Sequence, residues 1–101
     1  MRIGQAGESA VRSAFDIGPK ATRVINGRTR IFDGLNDVAV SEVKNVQRLS
    51  YTRQLRDYAD YASQNGLRLD IYVRGGTNIS GPLARADLDP MSPGNIIRYL
   101  E

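Results

Sequence analysis

The sequence contains no cysteine, no histidine and no tryptophan. Without cysteine the chain can form neither a disulfide framework nor a thiolate metal site. Without histidine it lacks the usual general base and the commonest transition-metal ligand. Any hydrolytic chemistry must therefore rest on carboxylates, lysine, hydroxyl groups or a hard metal ion.

Long apolar runs are also absent, since no stretch approaches the roughly 20 residues that span a bilayer. No basic-then-apolar stretch of the signal-peptide type precedes the first predicted helix. We therefore expect no membrane segment and no signal peptide in this chain. If the protein leaves its cell, we expect another polypeptide or a leader to carry it.

The chain has 41% hydrophobic and 25% charged residues, a composition typical of one ordinary globular domain. We expect that domain to span residues 1–101. The net charge of +3 is unevenly distributed, because residues 20–56 hold eight basic and three acidic residues. That stretch carries +5 and the remainder −2. A basic stretch suits a polyanionic partner, and a solvated arginine-rich surface explains it equally well.

Hydrophobic periodicity predicts helices and strands in the order α-β-β-β-α-β, followed by a short irregular C-terminal extension. The predicted elements are a helix over 5–15, strands over 22–26, 28–33 and 38–44, a helix over 50–65 and a strand over 67–73. Asn26-Gly27 marks a tight hairpin turn between the first two strands. Residues 77–95 predict a short strand and one helical turn, and residues 95–100 a terminal helix. The fold class is therefore α/β, of the α+β kind, with a mixed sheet flanked by helices.

The second predicted helix has an apolar stripe along one side. The stripe consists of Tyr51, Leu55, Tyr58, Ala59 and Ala62. The positions that lie away from it are Arg53, Asp57, Asp60 and Gln64. The tyrosines at 51, 58 and 61 suit packing of the helix, and base stacking is the alternative.

The segment from Phe32 to Lys44 carries the charged residues with the clearest chemical pattern. Asp33 ends one predicted strand, and Glu42 and Lys44 lie two positions apart on the next. Their side chains therefore project from the same face, about 7 Å apart along the strand. If the two strands pair as a hairpin, Asp33 approaches this pair. Two converging carboxylates repel each other unless a cation lies between them, which favours a hard-metal site.

Lysine and glutamate are both scarce in this chain. Twelve of the fourteen basic residues are arginine, and lysine occurs only at Lys20 and Lys44. An ammonium group can be tuned to lose its proton, whereas a guanidinium group cannot readily do so. A lysine two positions after Glu42 can therefore position or deprotonate an attacking water, or stabilise charge on a phosphoryl group.

An aspartate followed by Glu-x-Lys on consecutive strands, with a glutamate on the preceding helix, resembles the restriction-endonuclease-like nucleases of the PD-(D/E)xK pattern. More narrowly, four segments look like the restriction-endonuclease-fold toxin domains at the C-termini of bacterial polymorphic and contact-dependent inhibition toxins. They are Gly7-Glu8, Asp33-Gly34, Glu42-Val43-Lys44-Asn45-Val46 and Gln54-Leu55-Arg56-Asp57-Tyr58. The resemblance covers roughly residues 4–83. One departure is Phe32, which stands where the family usually has a proline before the aspartate.

The resemblance implies that Asp33 and Glu42 are metal ligands, with the Val43 carbonyl as a third candidate. It implies that Lys44 is the catalytic lysine. The implied cofactor is Mg²⁺, with Mn²⁺ or Zn²⁺ as alternatives. Asp37 is the rival to Asp33, although its place in a turn-forming sequence favours a turn acid.

Two further residues are implied to be catalytic. Glu8 would be an accessory acid on the first helix, and a first-turn acid favoured by the helix dipole is the alternative. Gln54 would face the site from the second helix and hydrogen-bond a water or a phosphate, and exposure to solvent is the alternative. Tyr58, one turn further on, would support Gln54 or pack beneath it.

The implied activity is that of a metal-dependent endonuclease that hydrolyses phosphodiester bonds. DNA is the expected substrate, and RNA, including tRNA, is the alternative. Arg48, Arg53 and Arg56 are candidate nucleic-acid contacts through phosphate groups.

By resemblance the domain is an antibacterial toxin, secreted as part of a larger protein and acting in the cytoplasm of a target cell. A cognate immunity protein would neutralise it in its producer. Two other classes stay open. One is a non-catalytic nucleic-acid-binding module on a degenerate nuclease scaffold, and the other is a protein-interaction domain whose basic stretch binds an acidic partner.

Overall fold

The computed structural model describes residues 16–88 and 95–100 of the chain. Within these residues the chain forms eight strands and two helices. The strands are β1 (Ala21–Ile25), β2 (Arg28–Phe32), β3 (Gly34–Leu35), β4 (Ala39–Lys44), β5 (Arg48–Leu49), β6 (Arg68–Arg74), β7 (Asn78–Ile79) and β8 (Asn95–Leu100). The helices are α1 (Arg53–Gln64) and α2 (Gly81–Leu88). The helix predicted over 5–15 lies outside the described residues.

The central sheet has four strands in the order β3-β4-β6-β8. β3 is antiparallel to β4, whereas β4 and β8 each pair parallel with β6, so the predicted mixed sheet is confirmed. Parallel neighbours require a crossover connection, and α1 lies in the one between β4 and β6. The middle of β6 is buried on both faces. Leu69, Ile71 and Val73 join the main core, while Tyr72 packs with Ile17 on the other face.

The hairpin β1–β2 forms a separate two-stranded sheet. Its turn residues Asn26 and Gly27 have φ angles of 52° and 77°, the left-handed pair that a two-residue type I′ turn requires. Ile25 and Phe32 point into the main core, where the Phe32 ring meets Tyr58 edge to face with centroids 4.8 Å apart. In the described part of the chain, neither hairpin strand pairs with the central sheet. Side-chain contacts therefore attach the hairpin to α1.

Helix α1 covers the main core and begins three residues later than predicted. Thr52 is its N-cap, and the Thr52 hydroxyl accepts a hydrogen bond from the Leu55 N–H at 3.3 Å, which fixes the start of the helix. Asn65 is the C-cap, and Gly66 follows with a φ of 67°, as expected for a residue just past a helix. The predicted apolar stripe is buried at Leu55, Tyr58, Ala59 and Ala62.

The predicted element order does not match the structure, because the two-residue strands β3 and β5 were not predicted and the end of the described chain differs. Residues 95–100 were predicted to form a helix but form β8, which pairs with β6 from Leu69–Asn95 to Arg74–Leu100. A short apolar run is compatible with strand or helix, and the β6 edge decides for the strand because its N–H and C=O groups need partners. Residues 77–95 contain β7, paired with β5, and the eight-residue α2 in place of one helical turn. Neither described helix has the length and apolar character needed to cross a bilayer.

Two glycines allow the segment before β1 to pass close to β3. A Cβ atom at Gly34 would lie 2.4 Å from the Ile17 carbonyl oxygen, and one at Gly18 would lie 2.1 Å from the Leu35 carbonyl oxygen. Gly18 also has a φ of 78°, which residues with a side chain rarely adopt. This close packing fixes β3 and, with it, Asp33 immediately before it.

Candidate active site

The β3–β4 hairpin brings Asp33 beside Glu42. Gly34 pairs with Ser41 in the antiparallel register, and one further step along both strands sets Asp33 opposite Glu42. The Asp33 carboxylate accepts a hydrogen bond from the Val43 N–H at 2.8 Å. The hairpin on which the predicted site depended, strand 28–33 paired with strand 38–44, is not formed, because among the described strands β2 pairs only with β1. The two-residue β3 pairs with β4 instead and brings Asp33 to the predicted place.

Glu42 and Lys44 project from the same face of β4, as their spacing predicted. Lys44 Nζ lies 3.4 Å from Glu42 Oε2 and donates a 2.6 Å hydrogen bond to Gln54 Oε1 in the first turn of α1. The Glu42 side chain is buried, whereas that of Lys44 is 24% exposed. Asp33, Glu42, Lys44 and Gln54 therefore lie together where the central sheet meets α1, and Lys44 is accessible from solvent.

Glu42 lies in an environment that disfavours its ionised form. Its pKa is raised to about 8, first because the carboxyl is buried and then because of a hydrogen bond and the charge of Asp33, while Lys44 opposes the shift. Glu42 Oε1 is buried and has no hydrogen-bond donor among the described residues. An ionised carboxylate oxygen without a donor is costly in such a place. A proton shared with Asp33, or a cation between the two carboxylates, would satisfy this oxygen.

The oxygen atoms of this site are of the kind that a hard cation binds. Asp33 and Glu42 supply two carboxylates, and the Val43 carbonyl faces the same strand edge as the Val43 N–H that binds Asp33. Such a donor set suits Mg²⁺ better than a softer metal. Residues 16–88 and 95–100 contain no group of three or more histidines, cysteines, aspartates or glutamates placed to hold a metal ion. Glu8, the further acid that the sequence predicted, lies outside these residues.

Gln54 and Tyr58 connect this site to the β1–β2 hairpin. Gln54 uses its carbonyl oxygen for Lys44. The Tyr58 hydroxyl, one turn further along α1, donates to the Ile31 carbonyl oxygen at 2.8 Å. Burial, followed by the charges of the two carboxylates, raises the pKa of Tyr58 above its usual range, and the Gln54 side chain opposes this rise, so the hydroxyl stays protonated. Gln54 therefore holds Lys44, and Tyr58 anchors the same part of α1 to the hairpin.

Asp37, the rival to Asp33, lies in the exposed turn between β3 and β4. The side-chain oxygen of the preceding Asn36 accepts hydrogen bonds from the Val38 and Ala39 N–H groups, each at 2.9 Å. This is the way in which asparagine stabilises a turn. The structure therefore places Asp37 as a turn acid.

The predicted nucleic-acid contacts lie on two elements. Arg53 and Arg56 are exposed near the start of α1, and Arg48 is exposed on β5. The Arg56 guanidinium lies 4.2 Å above the centre of the Tyr51 ring and donates to the Tyr51 carbonyl oxygen at 3.2 Å. A cleft of about 430 Å³ lies between α1 and the β1–β2 turn, and we call it the hairpin cleft. Arg48 does not line it. The residues that line the hairpin cleft are Asn26, Arg28, Arg53, Arg56, Asp57 and Asp60.

The prediction that Asp57 lies away from the buried side of its helix is wrong, because Asp57 is 1% exposed. Arg28 binds both carboxylate oxygens, through Nε at 2.9 Å and Nη2 at 2.8 Å. Arg30 adds a contact of 2.8 Å and Asn26 one of 3.0 Å. Hydrogen bonds, chiefly from Arg28, hold the pKa of Asp57 well below its usual range. The alternation of Arg28 and Arg30 on one face of β2 was a usable signal, but the sequence does not show which acid they bind.

Comparison with known proteins gives a match to one family model over most of the chain. The model is described as restriction endonuclease fold toxin 7, and it matches residues 4–83. A search of curated proteins found no match, and a search of solved structures found none either. The matched range includes the Asp33, Glu42, Lys44 and Gln54 cluster.

Proposed function

Because the chain belongs to the family of restriction-endonuclease-fold toxins, which implies a nuclease toxin, we propose that it is a metal-dependent endonuclease that acts on DNA as a single domain. The observation that carries the proposal is the state of Glu42, which lies buried between Asp33 and Lys44 with one oxygen that receives no hydrogen bond from residues 16–88 or 95–100. Buried carboxylates that serve only structure have their oxygens satisfied. An oxygen left open beside a second carboxylate is what a cation site needs.

Asp33 and Glu42 would hold the metal ion, Mg²⁺ in the first instance, with the Val43 carbonyl as a third donor. When bound, such an ion polarises the phosphoryl group and offsets the negative charge that develops on it. Glu42, whose pKa of about 8 keeps it mostly protonated at neutral pH, would give up its proton on binding the ion.

Lys44 is the proposed catalytic lysine. Its ammonium group has three N–H donors. One binds Gln54, Glu42 lies at ion-pair distance, and the part of the chain that the structure describes provides no further acceptor, so a donor would remain for a phosphoryl oxygen or for the attacking water. Negative charge grows on the phosphoryl oxygens as phosphorus is attacked, so an ammonium group already fixed in place stabilises the transition state more than the ground state. Gln54 and Tyr58 are positioning residues that act through Lys44.

The family also supports proposals on delivery and partners. We propose that a larger secreted protein carries this domain into a target bacterium, where it acts in the cytoplasm. A cognate immunity protein would bind it in the producing cell. Nucleic acid is the polyanion that the basic stretch would meet, with DNA as the proposed substrate and RNA as the alternative that the assay below separates.

Cleavage of plasmid DNA and of total RNA, each with Mg²⁺ and with EDTA, tests this function. We expect the wild type to cut DNA only with the metal, and Asp33→Ala and Lys44→Ala each to lower the rate by about 100-fold or more. Asp37→Ala is the matched control, because it removes an exposed turn carboxylate from the same hairpin. Cleavage in EDTA, or full activity of Lys44→Ala, would contradict the proposal, and cleavage of RNA alone would replace DNA as the substrate.

A further inference from the structure

Arg28, one of the arginines of the hairpin cleft, is held in one orientation by a buried aspartate. Asp57, at the base of the cleft, is buried and takes two of the five N–H groups of the Arg28 guanidinium. The Arg28 side chain is still 35% exposed, and no hydrogen bond to the described residues uses its other three N–H groups. A guanidinium held in this way loses little conformational freedom when it binds an anion.

Two further arginines line the cleft from the start of α1. Arg53 is exposed and forms no hydrogen bond or ion pair with the described residues, whereas the Arg56 guanidinium is oriented by the Tyr51 ring and carbonyl. The first turn of α1 contains no acidic residue, although the positive end of the helix dipole favours acids and disfavours arginines there. Residues that break a local preference of this kind tend to be functional.

The cleft and the candidate active site share the first turn of α1. Arg53 directly precedes Gln54, whose side chain holds Lys44, and Asp57 lies one helical turn further on, about 4.5 Å along the axis from Gln54. Consecutive phosphates of one strand of B-DNA are about 3.4 Å apart along the helix axis. A strand with its scissile phosphate at Lys44 would therefore bring neighbouring phosphates to the cleft.

The charge of the cleft also suits a phosphate. Three arginines line it against two aspartates, and Arg30 adds a further positive charge on buried Asp57. One guanidinium group can bind two phosphate oxygens at once through two parallel N–H···O hydrogen bonds. We propose that the hairpin cleft is a second phosphate subsite, which binds the phosphodiester backbone beside the bond to be cut through Arg28, Arg53 and Arg56. This inference rests on the proposed nuclease function. The helix turn that carries Arg53 and Arg56 of the cleft also carries Gln54, the partner of Lys44, and this favours nucleic acid over an acidic protein.

Salt-dependent DNA binding tests the subsite. Anisotropy of a fluorescein-labelled DNA duplex is measured in EDTA over a range of NaCl concentrations for the wild type, Arg53→Ala, Arg56→Ala and the double variant. Each lost phosphate contact should lower the slope of log K against log [salt] by about 0.9, and the double variant by about twice that. Arg85→Ala is the matched control, since it removes an exposed arginine of α2 that does not line the cleft. Arg28→Lys, checked for folding by thermal melting, keeps the charge beside Asp57 but loses the planar fork, and it should weaken binding several-fold.

The outcomes separate the subsite from the nuclease function. Slopes of Arg53→Ala and Arg56→Ala that equal the slope of Arg85→Ala would overturn the subsite. If Arg53→Ala and Arg56→Ala bound DNA as the wild type does but bound poly-glutamate more weakly, the subsite would also be overturned. The cleft would then be assigned to an acidic protein. Lack of Mg²⁺-dependent cleavage by the wild type contradicts the nuclease function alone, because the binding slopes are measured without metal.

Discussion

Replacing Glu42 with glutamine should make the metal-free protein more stable at alkaline pH than the wild type. The pKa of Glu42 is about 8 in the folded protein, compared with an ordinary value of 4.5. Because the folded pKa is raised, the stabilisation by the protonated carboxyl is fully present below pH 4.5 and is lost as the pH rises through 8. Glutamine has the same shape as the protonated carboxyl and does not titrate. The variant therefore loses no stability at this position as the pH rises from 4.5 through 8.

The size of the effect follows from the two pKa values. Each unit of pKa difference corresponds to about 1.36 kcal/mol, so a rise from 4.5 to about 8 corresponds to at most about 5 kcal/mol. Entry of water and relaxation of the site reduce this figure. Since domains of this kind have a total stability of about 5–15 kcal/mol, even half of the maximum would be easy to measure.

Urea denaturation at several pH values between 5 and 9, in EDTA, is the assay. The free energy of unfolding of the wild type should fall relative to that of Glu42→Gln as the pH rises, whereas Asp37→Asn, which changes an exposed turn carboxylate, should follow the wild type. Mg²⁺ added at pH 8 should stabilise the wild type and leave Glu42→Gln nearly unchanged. Parallel curves for the wild type and Glu42→Gln in EDTA would refute the reasoning.

Three further predictions concern the framework around the site. Gly34→Ala should lower both the urea midpoint and the cleavage rate, because the added methyl group would lie 2.4 Å from the Ile17 carbonyl oxygen. Wild-type stability of this variant would contradict the close packing of the Ile17 segment on β3. Arg28→Ala should destabilise the fold, since it removes the main partner of the Asp57 carboxylate and leaves only Arg30 and Asn26, and Asp57→Asn in the same chain should recover part of the loss in urea melts. Because the pKa of Asp57 is lowered in the folded protein, this pair stabilises the fold at neutral pH and loses its effect as the pH falls below about 4, so the gap between wild type and Arg28→Ala should narrow in acid. Leu55→Ala, at a fully buried position in the first turn of α1, should cost about 2–5 kcal/mol, and a change below about 1 kcal/mol would contradict this packing.

Elements whose own residues determine them were predictable from the sequence. Asn26-Gly27 specified the hairpin turn because few other residues adopt two consecutive positive φ angles. Alternation placed Glu42 and Lys44 on one face of β4, and the 3.6-residue period identified the buried side of α1. The approach of Asp33 to Glu42 was expected from a hairpin of strands 28–33 and 38–44, whereas the strand that pairs with β4 is the unpredicted β3.

Elements that depend on distant partners were not predictable. The strand at 95–100 forms because the β6 edge is open to it. The two-residue segments β5 and β7 are strands only because they pair with each other. Asp57 resembles a solvent-facing helix residue until Arg28, 29 positions earlier, is seen to bind it. The burial of Glu42, which gives the candidate site its electrostatic character, likewise results from the packing of α1 on the sheet and from no local signal.

The attachment of the β1–β2 hairpin to the central sheet has a consequence for the candidate site. Asp33 is the single residue between β2 and β3, and β3 pairs with β4, which carries Glu42. A movement of the hairpin would therefore pull directly on Asp33, and it would also move Asn26 and Arg28, which line the hairpin cleft. A molecule that binds the Asn26-Gly27 turn would then disturb the carboxylate pair and the proposed phosphate subsite together, lowering kcat and raising KM.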